Sequence, residues 1–157
     1  MTKQSFLSYG RQEITQDDIA AVTKALKSPF LTQGPLIEQF EKALCQYTGA
    51  KYCVVLANGT AALHLAVAAL NIKQGCSGIT SPITFVASSN ALVYNNLKPL
   101  FADIDASSAN ISCEDLKRKI QKNTKLIIPV HFAGRPADMK KIAVIASQKK
   151  CFVIEDA

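Results

Sequence analysis

In the stretch ANGTAAL, residues 57–63, Asn58, Gly59 and Thr60 stand at a strand-to-helix junction. At the start of a helix, free backbone N–H groups and the positive end of the helix dipole attract an anion. Gly59 lets a ligand approach the backbone, the Thr60 hydroxyl adds a donor, and Ala61 lies one position further into the same turn. The plain alternative is a turn followed by a helix that Thr60 caps. The stretch has neither the G-K-[ST] ending of a P-loop nor a G-x-G-x-x-G fingerprint. Further on, SPITFVASSNA holds Phe85, whose ring could lie on a planar cofactor or simply fill a core. His131, in PVHFAG, is either a site residue or a structural hydrogen-bonder.

VIEDA, residues 153–157, is the sharper signal. An apolar run delivers Glu155 and Asp156 to a strand end, where a buried carboxylate needs a partner or takes up a proton. A protonated pyridine nitrogen is a suitable partner, because the negative charge keeps that nitrogen protonated and makes the ring an electron sink. A capped helix or a surface turn would use the same residues structurally.

The surrounding pattern says what must position these groups. ITQDDIAAVTKALKS reads as a helix, with Thr15 and Asp18 spaced as a capping box and Ile19, Val22 and Leu26 at helical intervals. SPFLTQGP interrupts it, and a second helix carries Leu36, Phe40, Ala43, Leu44 and Tyr47 on one stripe, ending at Gly49 in a left-handed cap. From there strands and helices alternate: KYCVVLA, GITSP, PLFADI, KLIIPVHF and CFVIEDA as strands, with a helix in each interval. The helix beginning SCEDLKRK has Ser112 as its cap. Alternation of this kind predicts an α/β fold, a three-layer α/β/α core on a mostly parallel sheet with right-handed crossovers. Ligands of such sheets lie beyond the carboxyl ends of the strands, where ANGTAAL, SPITF and EDA fall.

The 157 residues, 48% hydrophobic and 19% charged, describe a folded globular chain rather than a disordered one. No apolar run approaches the ~20 residues of a membrane span, and MTKQSFLSYGRQ lacks a signal-peptide core. Five scattered cysteines, none in a C-x-x-C pair, read as free thiols in a reducing compartment, so a cytoplasmic protein is expected. The net charge of +6 comes mainly from lysines on helix faces, and no aromatic–basic interleaving suggests nucleic-acid binding. Neither a nucleic acid nor a membrane is an expected partner, and no metal site is predicted.

FLTQGPLIEQFEKAL, ANGTAALHLA, SPITFVASSNAL, FADID, PVHFAGRPADM and VIEDA, in this order and spacing, resemble the DegT/DnrJ/EryC1/StrS family of pyridoxal-phosphate aminotransferases acting on nucleotide-linked keto sugars. The resemblance covers essentially the whole chain. It implies the large domain of the fold-type I pyridoxal-phosphate enzymes. Gly59, Thr60 and Ala61 would hold the cofactor phosphate, Phe85 would stack on the ring, and Asp156 would pair with its nitrogen. Thr32, Gln33 and Gly34, with His131, would lie near the substrate. Asp103 and Asp105 match the family's DID turn, expected to be loop architecture. The opening YGRQEITQDDIAAVTKALKSPFLTQGP looks most like the subgroup of the pseudaminic acid route. That likeness implies amino transfer from glutamate to a UDP-linked 4-keto-6-deoxy sugar by a homodimer.

Two departures accompany the resemblance. Gly75-Cys76-Ser77-Gly78 stands where the family usually writes glycine and an acid. The lysine that anchors the cofactor as a Schiff base matches none of the fifteen lysines here, so no catalytic residue is assigned within the chain. The expected reading is therefore an N-terminal fragment that does not transaminate alone. Residues 1–35 would form a helical, substrate-facing segment and 36–157 the first part of the cofactor-binding domain, with the remainder and a small C-terminal domain beyond. Other readings are a pyridoxamine-phosphate-dependent sugar 3-dehydratase of the same family, a metal-dependent glycosyltransferase using the D-x-D of FADID, or a non-catalytic piece.

Overall fold

The computed structural model describes Gly10 and residues 12–157. The chain divides into two compact units, residues 1–55 and 56–157.

In the first unit, α1 spans Gln16–Leu26 and begins with the expected capping box. Thr15 N–H donates to Asp18 Oδ2 at 2.7 Å, and Asp18 N–H donates to Thr15 Oγ1 at 3.3 Å. The Thr15 N–H, and then the Thr15 hydroxyl donating to the same oxygen at 2.8 Å, hold the Asp18 carboxyl below its ordinary value. Helix α2 spans Pro35–Thr48, with Gly34 as its N-cap and Pro35 in the first turn, where a missing N–H costs nothing. Its C-cap, Gly49, has φ 76°, the left-handed conformation anticipated there. Neither helix buries a residue, and Ile19, Val22, Leu26 and Phe40 are all exposed.

KYCVVLA is not a strand. Residues 52–56 have no regular structure, and the one side-chain bond to this backbone runs from Val55 N–H to Glu41 Oε1 at 3.0 Å. β-propensity cannot make a strand without a ladder partner, and none of the described strands pairs with this segment.

The second unit holds the sheet. Its strands are β1 (Ser77–Thr80), β2 (Lys98–Phe101), β3 (Thr124–Ile128) and β4 (Phe152–Val153), all parallel in the order β2-β1-β3-β4. The helices are α3 (Gly59–Ala69), α4 (Ala87–Tyr94), α5 (Cys113–Lys119) and α6 (Met139–Lys149). Strands and helices are shorter than the sequence suggests, and each strand is confined to the residues with ladder partners. Beyond β3 and β4 the pairing resumes as a single bridge between Val130 and Asp156.

Side-chain alternation divides the core between the sheet's two faces. Leu126, Ile128 and Ile154 pack with Leu63 and Val67 of α3 and with Ala91 and Leu92 of α4. Ile79, Ile127 and Val153 pack with Leu116 of α5 and with Ile142 and Ile145 of α6. The result is the three-layer α/β/α arrangement expected from the pattern. Gly78 is the one glycine that packing demands: a Cβ there would collide with the Leu92 methyl groups, so α4 lies directly on β1.

From β1 the chain crosses through α4 to β2. It then passes β1 on the opposite face through α5 to reach β3. The strand order therefore reverses between β1 and β3, which puts a topological switch point at their carboxyl ends.

Candidate active site

Helix α3 is capped by Asn58, not Thr60. Asn58 Oδ1 accepts the Ala61 N–H at 2.8 Å, and the Asn58 carbonyl accepts Ala62 N–H at 3.1 Å. The Asn58 cap therefore takes up the Ala61 amide that the sequence offered to an anion. Among the described residues nothing accepts the Gly59 and Thr60 N–H groups, and both residues are exposed. A Cβ on Gly59 would meet nothing within 4 Å, so neither packing nor backbone strain requires glycine here. What its missing side chain provides is room in front of two unpaired amides, and a side chain would fill that room. Since α3 leads through residues 70–76 into the start of β1, its N-terminus lies toward the carboxyl ends of the strands.

Phe85 follows β1 and is 73% exposed, which removes the reading as a core phenylalanine. Its carbonyl accepts Ser88 N–H at 3.2 Å, closing the turn into α4 and leaving the ring at the surface.

Glu155 and Asp156, adjacent in sequence, are separated by strand periodicity. Continuing the alternation of Val153 and Ile154, Glu155 belongs to the α5/α6 face and Asp156 to the α3/α4 face. Asp156 N–H donates to the Pro129 carbonyl at 3.0 Å, and the Asp156 carbonyl accepts His131 N–H at 2.9 Å, so its backbone is fixed on both sides. Asp156 Oδ2 accepts the Ser88 hydroxyl at 2.5 Å. Sequence reasoning passed over Ser88, which is completely buried. Since α4 opens Ala87-Ser88-Ser89-Asn90, with three polar residues of four, the sequence does not single out Ser88.

His131 goes the other way. Its Nδ1 accepts the Ala137 N–H at 3.0 Å, so the ring proton is on Nε2, which donates to Glu155 Oε2 at 2.9 Å. Both ring nitrogens are spent on the α5/α6 side. The His131 side chain is thus hydrogen-bonded at both nitrogens, while its backbone N–H lies against the Asp156 carbonyl. Asp105 is equally committed: Oδ1 accepts Ser107 N–H at 2.9 Å and the Ser107 hydroxyl at 2.5 Å, which hold its carboxyl below its ordinary value. Asp103 Oδ1 accepts the Ile104 N–H at 2.8 Å. The DID turn is loop architecture. Among the described residues no cluster of ligand side chains could hold a metal ion.

Thr32, Gln33 and Gly34 belong to the first unit. Thr32 and Gln33 are exposed, Gln33 has φ 53°, and Gly34 opens α2. A Cβ on Gly34 would press on the Phe30 carbonyl at 3.0 Å, so this tight turn favours glycine by contact.

Among the described residues, the second unit thus carries two unpaired amides at the start of α3, an exposed ring after β1 and a half-buried carboxylate after β4, each toward the carboxyl side of the sheet. These groups suit a phosphorylated, planar, basic heterocycle. A phosphate would suit N–H donors at a helix start, an aromatic face would suit an exposed ring, and a ring N–H would suit a carboxylate acceptor.

The comparisons with known proteins agree with that chemistry. The family model described as the DegT/DnrJ/EryC1/StrS aminotransferase family matches residues 12–157. The Methanocaldococcus jannaschii protein MJ1066 is 43% identical over 157 residues, 100% of this chain and 41% of its own length. The spore coat polysaccharide biosynthesis protein SpsC of Bacillus subtilis is 39% identical over 155 residues, 99% of this chain and 40% of its own length. Among solved structures, Helicobacter pylori PseC, an aminotransferase involved in the biosynthesis of pseudoaminic acid, superposes with a TM-score of 0.90 at 30% identity, covering 96% of this chain and 41% of PseC. The sugar aminotransferase Spr1654 of Streptococcus pneumoniae in its PMP form gives 0.87 at 27% identity, covering 92% of this chain and 40% of that one. The chain thus spans about two fifths of the length of the curated relatives it matches.

Proposed function

This chain belongs to the DegT/DnrJ/EryC1/StrS aminotransferase family, and from that premise we propose that the whole protein is a pyridoxal 5'-phosphate-dependent aminotransferase of nucleotide-linked keto sugars. The observation that supports the reading is that the open Gly59–Thr60 amides, the exposed Phe85 and the Ser88-bonded Asp156 each follow from elements whose ends fall at the carboxyl side of the sheet. The PMP form of Spr1654 supports the cofactor, and the sugar-linked roles of SpsC and PseC support the substrate class.

The cofactor, when bound, supplies an electron sink and a carbon that carries the amino group between donor and sugar. This chain's own residues bind and orient it. Gly59 and Thr60 N–H groups, with the Thr60 hydroxyl, receive the phosphate at the positive end of α3. Ala61 contributes through the cap: its amide holds Asn58, which sets the first turn. The Phe85 ring lies against the heterocycle and excludes water from one side. Asp156 accepts the ring N–H and keeps that proton in place. Residues 32–34 serve the sugar nucleotide, and the amino donor is glutamate. Within the family, the reading is UDP-4-amino-4,6-dideoxy-N-acetyl-β-L-altrosamine transaminase, acting as a homodimer on a UDP-linked 4-keto-6-deoxy sugar. The opening segment and the likeness to PseC support it.

A titration with pyridoxamine 5'-phosphate, followed by absorbance or fluorescence, tests the site. Binding is expected, and Asp156→Ala and Gly59→Val should each weaken it on the order of tenfold, ~1.4 kcal/mol. No spectral change with folded wild-type protein would overturn the cofactor assignment. For the substrate, amination of a UDP-linked 3-keto sugar in preference to the 4-keto sugar would refute the narrower reading.

A further inference from the structure

Ser88 is completely buried, and its hydroxyl has three polar neighbours: Asp156 Oδ2 at 2.5 Å, Thr84 Oγ1 at 2.8 Å and the Phe85 carbonyl at 3.1 Å. It has one proton to give. The carbonyl and the carboxylate only accept, and the carboxylate is both the closer and the charged acceptor, so the proton goes to Asp156. Thr84 then donates to Ser88, giving a directed chain of hydroxyls from the β1–α4 turn to the acid. The backbone of Asp156 is already fixed by Pro129 and His131, which leaves only side-chain rotation free. The Ser88 bond removes that freedom at one oxygen. Among the described residues Asp156 Oδ1 accepts no hydrogen bond.

We propose that Ser88 is a positioning residue for the cofactor's ring nitrogen: it pins Asp156 Oδ2 so that Oδ1 alone is presented as the acceptor of the ring N–H. This rests on the cofactor reading above. It also assigns a purpose to the polar residue that interrupts the apolar face of α4. The hydroxyl stabilises the carboxylate as an acceptor, and without it the side chain can rotate away from the ring. The effect must therefore appear only in contacts that involve the ring nitrogen, not in those to the phosphate.

The experiment compares binding of pyridoxamine 5'-phosphate with binding of its 1-deaza analogue, in which a carbon replaces the ring nitrogen and no N–H exists. Wild-type protein is expected to prefer the natural compound about tenfold or more, the worth of one hydrogen bond to a charged group. Ser88→Ala should reduce that preference to about threefold or less while affinity for the deaza analogue stays within about twofold. Ser88→Cys, of similar volume with a weak S–H donor, should fall between them, and it takes the place of Ser88→Ala should that variant not fold by circular dichroism. Equal weakening of both compounds would make Ser88 a packing residue and overturn the proposal. An unchanged preference in the variants would overturn it as well. Wild-type protein that binds both compounds equally would instead remove Asp156 as the ring-nitrogen partner, and binding of neither would overturn the cofactor reading; the inference about Ser88 would fall in either case.

Discussion

Helices α3 and α4, on one side of the sheet, contain no lysine, arginine, aspartate or glutamate, whereas α5 and α6, on the other, carry CEDLKRK and MKKIAVIASQK. Both layers pack on the same strands through alternating side chains, so their cores are alike in kind. Their polar groups are not. On the α5/α6 side polar groups are consumed locally. Asp115 accepts the Asp103 N–H at 2.6 Å and pairs with Arg118 and with Lys119 at 3.0 Å, while His131 is held between Ala137 and Glu155. On the α3/α4 side Asn95 Nδ2 donates to the His64 and Ala91 carbonyls, and further polar groups sit at the start of α3 and at a strand end. Among the described residues, the Gly59 and Thr60 amides and one Asp156 oxygen are without partners there. A layer whose Asp115, His131 and Glu155 side chains are paired within the chain stabilises the fold. A layer that leaves donors and an acceptor open at one edge can bind something.

That contrast can be broken by matched core truncations, which have the largest expected effects. Leu126→Ala and Ile127→Ala point to opposite faces from adjacent positions of β3. Each should cost about 2–5 kcal/mol in urea unfolding. Only Leu126→Ala should also weaken pyridoxamine phosphate binding. Equal loss of binding in both would mean that the faces are not functionally distinct. Gly78→Ala comes next, at about 1–3 kcal/mol, because its methyl group would drive Leu92 and α4 away from β1. It should lower cofactor affinity along with stability, since α4 carries Ser88. Unfolding and titration of the same sample would show both.

Asn58→Ala, which removes the cap of α3, should cost about 1 kcal/mol and free the Ala61 amide. Phosphate-dependent binding should change by only a few-fold, as measured by inorganic phosphate competition. The last difference is a slope with pH rather than an offset. Asp115 is held at about 2, below its ordinary 3.8, first by the Asp103 N–H and then by Lys119 and Arg118. The unfolded chain therefore binds more protons than the folded one between those values. Stability from this group is present above about 3.8 and lost as pH falls toward 2. Asp115→Asn should flatten that acid limb in denaturant titrations and leave cofactor binding at neutral pH unchanged.

Local signals were read well where the physics is local. The Thr15–Asp18 capping box, the Gly49 left-handed cap and the Ser112 cap follow from residue types three or four positions apart, and all three form. KYCVVLA was misread because a strand exists only with a partner beside it. Asn58 took the cap assigned to Thr60, a shift of two residues that decides which amides stay open. Phe85 could be a ring on a surface or in a core as far as sequence goes, and burial alone distinguishes the two.

Alternation of apolar runs with helical periods, the parallel order it implies, and the family to which the chain belongs were all fixed by the order of residues, because those features depend on neighbours along the chain. The direction of each polar group was decided by the fold. Glu155 and Asp156 are adjacent in sequence, yet the pleat sends one to His131 and the other to Ser88, a residue 68 positions away in sequence from Asp156. No linear spacing encodes that meeting, since it depends on α4 packing against the strand that carries the acid.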